Sequence, residues 1–396
     1  MEILFWLGLF IVFYTFLGYG ILLYFLIKIR RALKGKRVVP DLNQNLPTLT
    51  LIVAAYNEEE LILEKIQNTL TLNYPKEKLS LLFITDGSSD KTPDLISGFS
   101  EIKLMHSPTR NGKIHAIHRA MHEVDTEVVV FTDANTFLNK DALVLIARHY
   151  ADPKVGAVSG EKRVTQEEIS DATAGEGFYW KYESTLKKWD SELYSVVGAA
   201  GELFSVRRSL YQQVEPDTIL DDFMISMLIA QQGYRIIYEP DAYASELSSD
   251  NIKEELKRKV RIAAGGIQSI LRLKKLFLPF NFPLLWFQYI SHRVLRWTIT
   301  PFLMIFVFIL NGIICLQDPP FIYYIIMAGQ VLFYAGALAG WILERRKVKI
   351  KALFVPYYFC VMNYAVIAGI NRYFKGSQSA AWEKSKRKTA YKSEDL

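Results

Sequence analysis

The sequence predicts an α/β domain that is preceded and followed in the chain by apolar segments long enough to cross a membrane. The composition supports this fold class, because 51% of the 396 residues are apolar, enough for one sizeable domain and several membrane helices. Strand-like and helix-like patterns alternate between residues 48 and 160, which is typical of an open, mostly parallel α/β sheet. Uncharged runs of membrane-spanning length lie before and after this region.

The first uncharged run covers residues 3–27 and predicts an N-terminal transmembrane helix within residues 1–28. A cleaved signal peptide is disfavoured, because no basic residue precedes the run and no small-residue cleavage site follows it. Basic residues cluster between 28 and 37. Since Lys and Arg accumulate on the cytoplasmic side of membrane helices, we expect the N-terminus outside and the following domain in the cytoplasm.

Three more apolar runs predict C-terminal transmembrane helices within residues 297–370, at 297–316, 321–343 and 352–370. The basic loop 344–351 is expected in the cytoplasm. If the last run crossed fully, the basic tail at 371–396 would lie outside, against the charge bias. A full crossing and an interfacial or re-entrant helix therefore stay equally open for this run.

Residues 251–296 predict helices that lie on the inner membrane surface. Residues 252–271 place apolar side chains on one helical face and Lys and Arg on the other, which is typical of an interfacial amphipathic helix. Packing of this helix on the soluble domain is the alternative. Residues 273–290 mix aromatic and apolar side chains but are too short and too interrupted by proline to span.

The soluble domain is expected over residues 38–250. Its four predicted strands are short, apolar and bounded by turn residues: 48–55, 79–85, 101–107 and 127–132. Helical patterns follow the first, third and fourth strands, most clearly at 57–70. Ligands of such sheets gather at the carboxyl ends of the strands. Polar clusters lie where three of these strands end, at 55–60, 85–92 and 132–136.

These clusters predict a site for a metal and a diphosphate. Carboxylates that converge on one sheet edge repel each other unless a cation lies there, and hard oxygen ligands favour Mg²⁺ or Mn²⁺. Asp133 is the candidate link between metal and phosphates, and Lys113 is placed at a helix start, where an anion is stabilised. The alternatives are a turn-forming role for Asp86 and a solvated surface position for Lys113.

Two adjacent carboxylates, Asp221 and Asp222, lie where the flanking residues predict the start of a buried helix. Burial and a neighbouring negative charge both raise the pKa of a carboxylate, which suits a general base. Helix capping is the alternative, and it explains one of the two acids. We expect Asp222 to be the base and Asp221 to support it.

The order of these motifs resembles that of membrane-bound family 2 glycosyltransferases, such as the cellulose, chitin, hyaluronan and poly-N-acetylglucosamine synthases. The matching segments are AYNEEE, TDGSSDKT, NGK, TDANT, LDDF and RKVRIAAGG, within about residues 48–300. The resemblance implies a GT-A fold that binds a nucleotide-sugar, and a divalent metal. It also implies that Tyr56, Glu58 and Asp86 line the nucleoside pocket, with Lys113 nearby.

The same resemblance makes Asp133 the first residue of the metal-binding DxD motif, with Asn135 where a second aspartate is common. In the family's QxxRW motif, Arg261 is kept and would neutralise the departing diphosphate. Arg258 replaces the glutamine and Ile262 replaces the tryptophan. Since that tryptophan supports the acceptor sugar in polymer synthases, its replacement weakens the expectation of a long polymer product.

Residues 198–211 resemble the family's acceptor-facing segment. Small residues around Gly201 and Glu202 would admit a sugar closely. Arg207 and Arg208 follow, and they either hold an anionic group or form a solvated basic turn.

We therefore expect an inverting, metal-dependent transferase that moves a sugar, from a UDP-sugar, to a glycan acceptor at the cytoplasmic face of the plasma membrane. Its role would be cell-surface or extracellular polysaccharide synthesis; a polyprenyl-phosphate or glycolipid glycosyltransferase is the alternative. Ion transport is disfavoured because the four apolar runs contain no ionisable Asp, Glu, Lys, Arg or His. The modest net charge of +6 gives no case for nucleic-acid binding, and the oligomeric state is left open.

Overall fold

The computed structural model describes residues 1–41, 45–165, 173–247, 252–346, 348 and 350–376. Within these residues eight strands form one mixed sheet in the order β3-β2-β1-β4-β7-β6-β8-β5. The strands are β1 (Leu49–Ala55), β2 (Leu79–Asp86), β3 (Lys103–Ser107), β4 (Val128–Asp133), β5 (Phe137–Leu138), β6 (Val155–Thr165), β7 (Leu203–Arg207) and β8 (Arg235–Leu247).

The first four strands are parallel, and the rest of the sheet is mixed. β1 lies between β2 and β4, with Ala55 opposite Thr85 on one side and Ala54 opposite Asp133 on the other. β7 runs antiparallel to β4 and joins the two halves of the sheet. The carboxyl ends of β1, β2 and β4 therefore meet at one edge, which brings the three polar clusters together.

Helices cover both faces of the sheet. They are α3 (Ile62–Leu70), α4 (Thr92–Ser97), α5 (Lys113–His122), α6 (Ala142–Ala147), α7 (Thr173–Leu193) and α8 (Asp221–Ala230). Ile52 and Phe131 pack into one apolar core, and Leu51 and Val53 pack into the other. Because both faces are covered, β1 is buried at every position and its sequence is continuously apolar.

The helix predicted at 57–70 begins five residues later, at Ile62. The chain before it is held as a loop: Asn57 has a positive φ of 52°, and its backbone N–H donates to Ser88 Oγ at 3.2 Å. The amide of Glu58 likewise donates to Thr92 Oγ1 at 2.8 Å. These bonds tie the end of β1 to the loop after β2, and they keep Glu58 at the sheet edge.

The apolar helices lie at the two ends of the chain. α1 (Glu2–Phe13) and α2 (Tyr19–Lys34) are joined by a π-helical turn. They are followed, after the sheet, by α9 (Ile252–Arg272), α10 (Pro283–Tyr289), α11 (Leu295–Trp297), α12 (Thr300–Cys315), α13 (Phe321–Arg345) and α14 (Lys351–Phe374). In the described residues Glu2–Lys34, Phe321–Arg345 and Ala352–Phe374 are long and apolar enough to cross a membrane, and α12 meets the helix before it at 61°.

Specific contacts join these helices to one another and to the sheet domain. Near the N-terminus, Trp6 Nε1 donates to the hydroxyl of Tyr323 at 2.9 Å. Near the end of α2, the guanidinium of Arg31 makes two bonds to Glu192 on α7, at 2.7 and 2.6 Å. Glu2 and Tyr323 also bond, at 3.1 Å. One end of the first apolar helix therefore contacts the start of α13, and the other end contacts the sheet domain.

Candidate active site

Asp86, at the end of β2, organises the loop that precedes α5. Its Oδ2 accepts hydrogen bonds from the backbone amides of Asn111, at 2.8 Å, and Gly112, at 2.6 Å. Gly87 has a φ of 70°, and an added Cβ would lie 2.8 Å from the Cα of Arg110. The carboxylate therefore holds a tight turn against the end of β1.

The predicted nucleoside residues lie around this turn. The guanidinium of Arg110 lies 4.0 Å above the ring of Tyr56, a distance typical of a cation–π contact. Glu58 is buried at the same edge, and Tyr56, Glu58 and Lys113 all line one cavity of about 1150 Å³. The structure thus places the three side chains on a single wall.

Lys113 joins the two acidic motifs. Its ammonium lies 2.9 Å from Asp133 Oδ1 and 3.5 Å from Asp221 Oδ2. Burial opposes the charged ammonium, but the carboxylates of Asp133 and Asp221 outweigh it and raise the pKa of Lys113. This lysine is therefore a permanent cation, in contrast to the alternative of a solvated surface position.

Asp133 and Asn135 provide oxygen atoms at the end of β4. The Oδ1 atom of Asn135 is buried and has no hydrogen-bond partner among the described residues. No group of three or more His, Cys, Asp or Glu side chains in the described ranges could hold a metal alone. Mg²⁺ sites of one or two protein oxygens, completed by substrate phosphates, are common, and the orphaned amide oxygen fits such a site.

Asp222 lies in the first turn of α8 and lines the cavity. Burial, followed by repulsion from Asp221, raises its pKa from 3.8 to about 7. The first residue before the helix, Leu220, makes no side-chain cap. An added Cβ on Gly201 would lie 3.1 Å from Asp222 Oδ2, so the glycine leaves the carboxylate accessible to a bound group.

Glu202 is held in place by a buried lysine. The ammonium of Lys162 donates to Glu202 at 2.6 Å and also pairs with Glu246. Burial by itself would raise the pKa of Glu202. The charge of Lys162 and its hydrogen bond together outweigh burial and lower the pKa of Glu202 below the usual range. Glu202 therefore stays ionised and positions the chain beside Gly201.

The two arginines of α9 have different surroundings. Arg258 pairs with Glu255 at 2.9 Å. The Nε atom of Arg261 is buried and without a partner among the residues described, and the side chain lines the cavity. Arg261 is therefore the more available of the two for an anion.

Arg207 serves the fold and does not face an anion. Its Nε donates to Val155 O at 3.1 Å, and one NH2 donates to Tyr150 O at 2.9 Å. Neither of the two expected roles, an anion contact or a solvated turn, applies to this side chain. Arg208 is exposed in a short turn after β7.

Trp297 is a cavity residue that sequence reasoning did not assign. Its ring lies 5.3 Å from the ring of Phe223, next to Asp222, and an added Cβ on Gly266 would lie 2.5 Å from it. The indole therefore reaches the cavity that Ile262 also lines. A signal was present: Arg296 and Trp297 form an RW pair, but it lies on the segment before α12 and outside the aligned motif.

The sheet order, with polar groups at one edge, defines the class of fold, the GT-A fold that glycosyltransferases use. A mannosyltransferase from Pyrobaculum calidifontis, solved in complex with GDP-Man and Mn²⁺, matches with a TM-score of 0.70 and 24% identity, over 95% of this chain and 100% of that one. Residues 50–215 match the family described as glycosyl transferase family 2. Residues 50–215 therefore carry the domain of this family, and the predicted fold class and the resemblance to the family are confirmed.

Curated relatives agree with this assignment. The poly-beta-1,6-N-acetyl-D-glucosamine synthase of Staphylococcus aureus (strain COL) is 31% identical over 264 residues, or 64% of this chain and 62% of the relative. The enzyme of the same name from Staphylococcus epidermidis is 27% identical over 260 residues, with the same shares. The chain spans less than two thirds of the length of these relatives. The names of these relatives agree with the predicted enzyme class, a glycosyltransferase.

Proposed function

We propose that this protein transfers a sugar from a UDP-sugar to a hydroxyl group of a glycan acceptor, with inversion at the anomeric carbon. The observation that carries the proposal is that Asp222 lines the same cavity as Lys113 and Arg261; burial and the neighbouring Asp221 also raise the pKa of Asp222. Such a transfer needs a base and cations in one place, because a proton leaves the acceptor while negative charge grows on the diphosphate.

In the proposed reaction the Asp222 carboxylate accepts the proton of the acceptor hydroxyl as its oxygen attacks the anomeric carbon. The bond from that carbon to the diphosphate breaks, and the nucleoside diphosphate leaves from the opposite face with the electron pair. Gly201 leaves room for the acceptor beside Asp222, and Arg261 neutralises the leaving phosphate. Positioned base catalysis of this kind contributes roughly 10² to 10⁴ in rate.

A divalent cation, Mg²⁺ or Mn²⁺, would be held by Asp133 and by the orphaned amide oxygen of Asn135, with the donor phosphates completing the site. When bound, it supplies charge neutralisation at the diphosphate. Lys113 supplies a positive charge 2.9 Å from Asp133 Oδ1. Tyr56, Glu58 and Asp86 would hold the nucleoside, Asp86 through the turn that it organises.

We further propose a multi-pass protein of the plasma membrane whose catalytic domain, residues 38–250, faces the cytoplasm. Residues 1–28 and 297–370 would hold it in the membrane, and 251–296 would lie at the surface. The basic cluster after the first apolar helix supports this orientation. The bond between Glu2 and Tyr323 supports it too, since it brings the two helix ends predicted to lie outside together.

The names of the curated relatives support a role in cell-surface or extracellular polysaccharide synthesis. They make UDP-N-acetylglucosamine the first donor to offer. Transfer to a lipid-linked acceptor is a second candidate, and it is favoured by apolar side chains of the first apolar helix and of α14 that also line the cavity.

The test is the release of nucleoside diphosphate by the full-length protein in lipid nanodiscs. UDP-N-acetylglucosamine, UDP-glucose, UDP-galactose, UDP-glucuronate and GDP-mannose are each offered with membrane lipids, short glycans and Mg²⁺ or Mn²⁺. We expect turnover of one UDP-sugar that is lost on chelation and in Asp222→Asn, but kept in Asp94→Asn, whose exposed carboxylate lies on α4. Turnover of GDP-mannose alone would contradict the UDP assignment, and full activity of Asp222→Asn would remove the assigned base.

A further inference from the structure

A buried lysine of α3 contacts the loop that carries the two proposed metal ligands. This metal loop comprises residues 132–136, at the end of β4. Lys65 is 0% exposed, and its Nζ atom donates to Thr136 O at 2.6 Å and to Thr132 Oγ1 at 3.4 Å. One lysine therefore holds both ends of the loop, and the proposed reaction gives it no role.

A lysine at a fully buried position needs an explanation, because a buried charge is costly unless it is paired. Both hydrogen-bond partners of Lys65 are uncharged oxygen atoms. Burial lowers the pKa of Lys65 to about 7, against the opposing effect of Asp133. An ammonium and a neutral amine both donate N–H groups, so the two contacts do not depend on the charge of the lysine. An apolar side chain of similar length would fill the same space without these donors.

The contact with Thr132 continues to the acceptor-facing segment. Thr132 Oγ1 donates to Glu202 O at 2.9 Å and lies 3.0 Å from Thr136 Oγ1, which in turn donates to Asp133 O at 3.0 Å. Since a hydroxyl has one proton and two lone pairs, Thr132 donates to Glu202 while it accepts from Lys65. Lys65 therefore belongs to a network of buried hydrogen bonds that joins the metal loop to the acceptor-facing segment.

The next turn of α3 holds the chain that follows the metal loop. Asn68 Nδ2 donates to Leu138 O at 2.8 Å, and Asn68 Oδ1 accepts from Leu138 N at 2.9 Å. We propose that Lys65 is a positioning residue for the divalent cation: its hydrogen bonds hold the metal loop in the arrangement that presents Asp133 and Asn135 to the cavity. This inference rests on the proposed function. Loss of a group that orients metal ligands typically lowers metal affinity roughly 10- to 100-fold.

The charge of Lys65 and its hydrogen bonds act on a bound cation in opposite directions. A positive charge near Asp133 repels a divalent cation, and Lys65 and Asp133 interact electrostatically. If charge were the main effect of Lys65, an uncharged replacement would tighten metal binding. If Lys65 holds the loop, the same replacement weakens metal binding. The sign of the change in metal affinity therefore distinguishes the two roles.

The test measures Mn²⁺ binding directly, by electron paramagnetic resonance of the free ion, in a titration of the full-length protein in nanodiscs with UDP. Empty nanodiscs with UDP give the background. We expect Lys65→Met to raise the Kd of Mn²⁺ at least about tenfold. Lys140→Met makes the same change at an exposed lysine four residues after the metal loop and should leave the Kd unchanged.

A second pair of variants tests the same contacts without removing the lysine. Thr132→Val removes the hydroxyl that lies between Lys65 and Glu202, and we expect it to raise the Kd about fivefold, the net contribution of one hydrogen bond. Thr50→Val removes another buried hydroxyl of the sheet, which bonds to Thr126 at 2.7 Å. This control should lower the unfolding midpoint without changing the Kd, so that loss of stability and loss of metal affinity are measured separately.

The possible results separate this inference from the proposed function. An unchanged or lower Kd in Lys65→Met, while the wild type binds Mn²⁺, overturns the positioning role and leaves the transferase standing. If Lys65→Met does not fold, an unchanged Kd in Thr132→Val overturns the positioning role instead. Failure of the wild type to bind Mn²⁺ with either UDP or GDP contradicts the proposed metal site, and the inference falls with it.

Discussion

The replacement of Asp222 by asparagine separates catalysis from stability. Asparagine keeps the shape of the side chain but cannot accept the acceptor proton as a carboxylate does. We expect kcat to fall by roughly 10² to 10⁴, the usual contribution of a positioned base. The same change should stabilise the protein at alkaline pH, because Asp222 is destabilised as an anion by burial and by its neighbour Asp221.

The structure sets the size and sign of the stability change. The fold raises the pKa of Asp222 from 3.8 to about 7, and each pKa unit corresponds to about 1.4 kcal/mol. Holding this carboxylate ionised at pH 8 therefore costs the native state up to about 4 kcal/mol. Between the unfolded and the native pKa, the native state keeps a proton on Asp222 that the unfolded chain releases. The native state therefore pays no such cost below the unfolded pKa, and this part of its stability is lost as the pH rises through 7.

The assay is thermal unfolding of the two proteins in the same detergent at pH 5 and pH 8, beside turnover of the donor. At pH 8 the Asp222→Asn variant should unfold several degrees above the wild type, since 1 kcal/mol is worth about 2–4 °C in a domain of about 150–250 residues. At pH 5, where the wild-type residue is protonated, the gap should shrink. An equal or lower unfolding midpoint for the variant at pH 8 would refute the conclusion that the ionised Asp222 carboxylate destabilises the native state.

Three further outcomes follow from the site. The wild-type kcat should fall about tenfold for each pH unit below 7, as Asp222 takes up its proton, and a flat profile between pH 5 and 8 would contradict its role as the base. Lys113→Gln should raise the KM of the donor, measured from initial rates, because Asp133 and Asp221 lose their shared cation. Gly198→Ala should lower the unfolding midpoint, since Gly198 has a φ of 83° and its Cβ would overlap the Phe223 ring; Gly329→Ala, with nothing within 4 Å, is the control.

The parallel half of the sheet could be predicted because its sequence signal is local. β1, β2 and β4 are short apolar runs that end in polar residues, and burial on both faces makes such runs continuous. The start of α3 was predicted too early. Residues 57–61 carry helical composition, but their amides bond to Ser88 and Thr92 in another loop. A pattern within one segment does not contain contacts made between segments.

The same limit applies to the site. The acidic motifs are recognisable because their residue types are unusual at strand ends. Lys113 on α5 contacts Asp133 on β4 and Asp221 on α8. This contact exists only because the three elements meet in space, so no pattern within one of them predicts it. The role of two arginines that line the cavity is hidden from the sequence for a related reason. Arg293 and Arg296 lie seven and four positions before the start of α12. They resemble a membrane-flanking basic pair in the sequence, but in the structure both contact Glu183 of α7.

The last apolar helix shows how packing changes the meaning of a hydrophobic run. α14 has the length and composition of a span, yet its side chains form one wall of the catalytic cavity. An added Cβ on Gly369 would lie 2.5 Å from the Cβ of Ala263, on the helix that carries Arg261. This close backbone contact between α14 and α9 gives the apolar run a second role, because part of it packs on the helix that carries Arg261. Apolar composition therefore does not by itself distinguish a membrane span from a helix that also lines a cavity, and both alternatives for this run stay open.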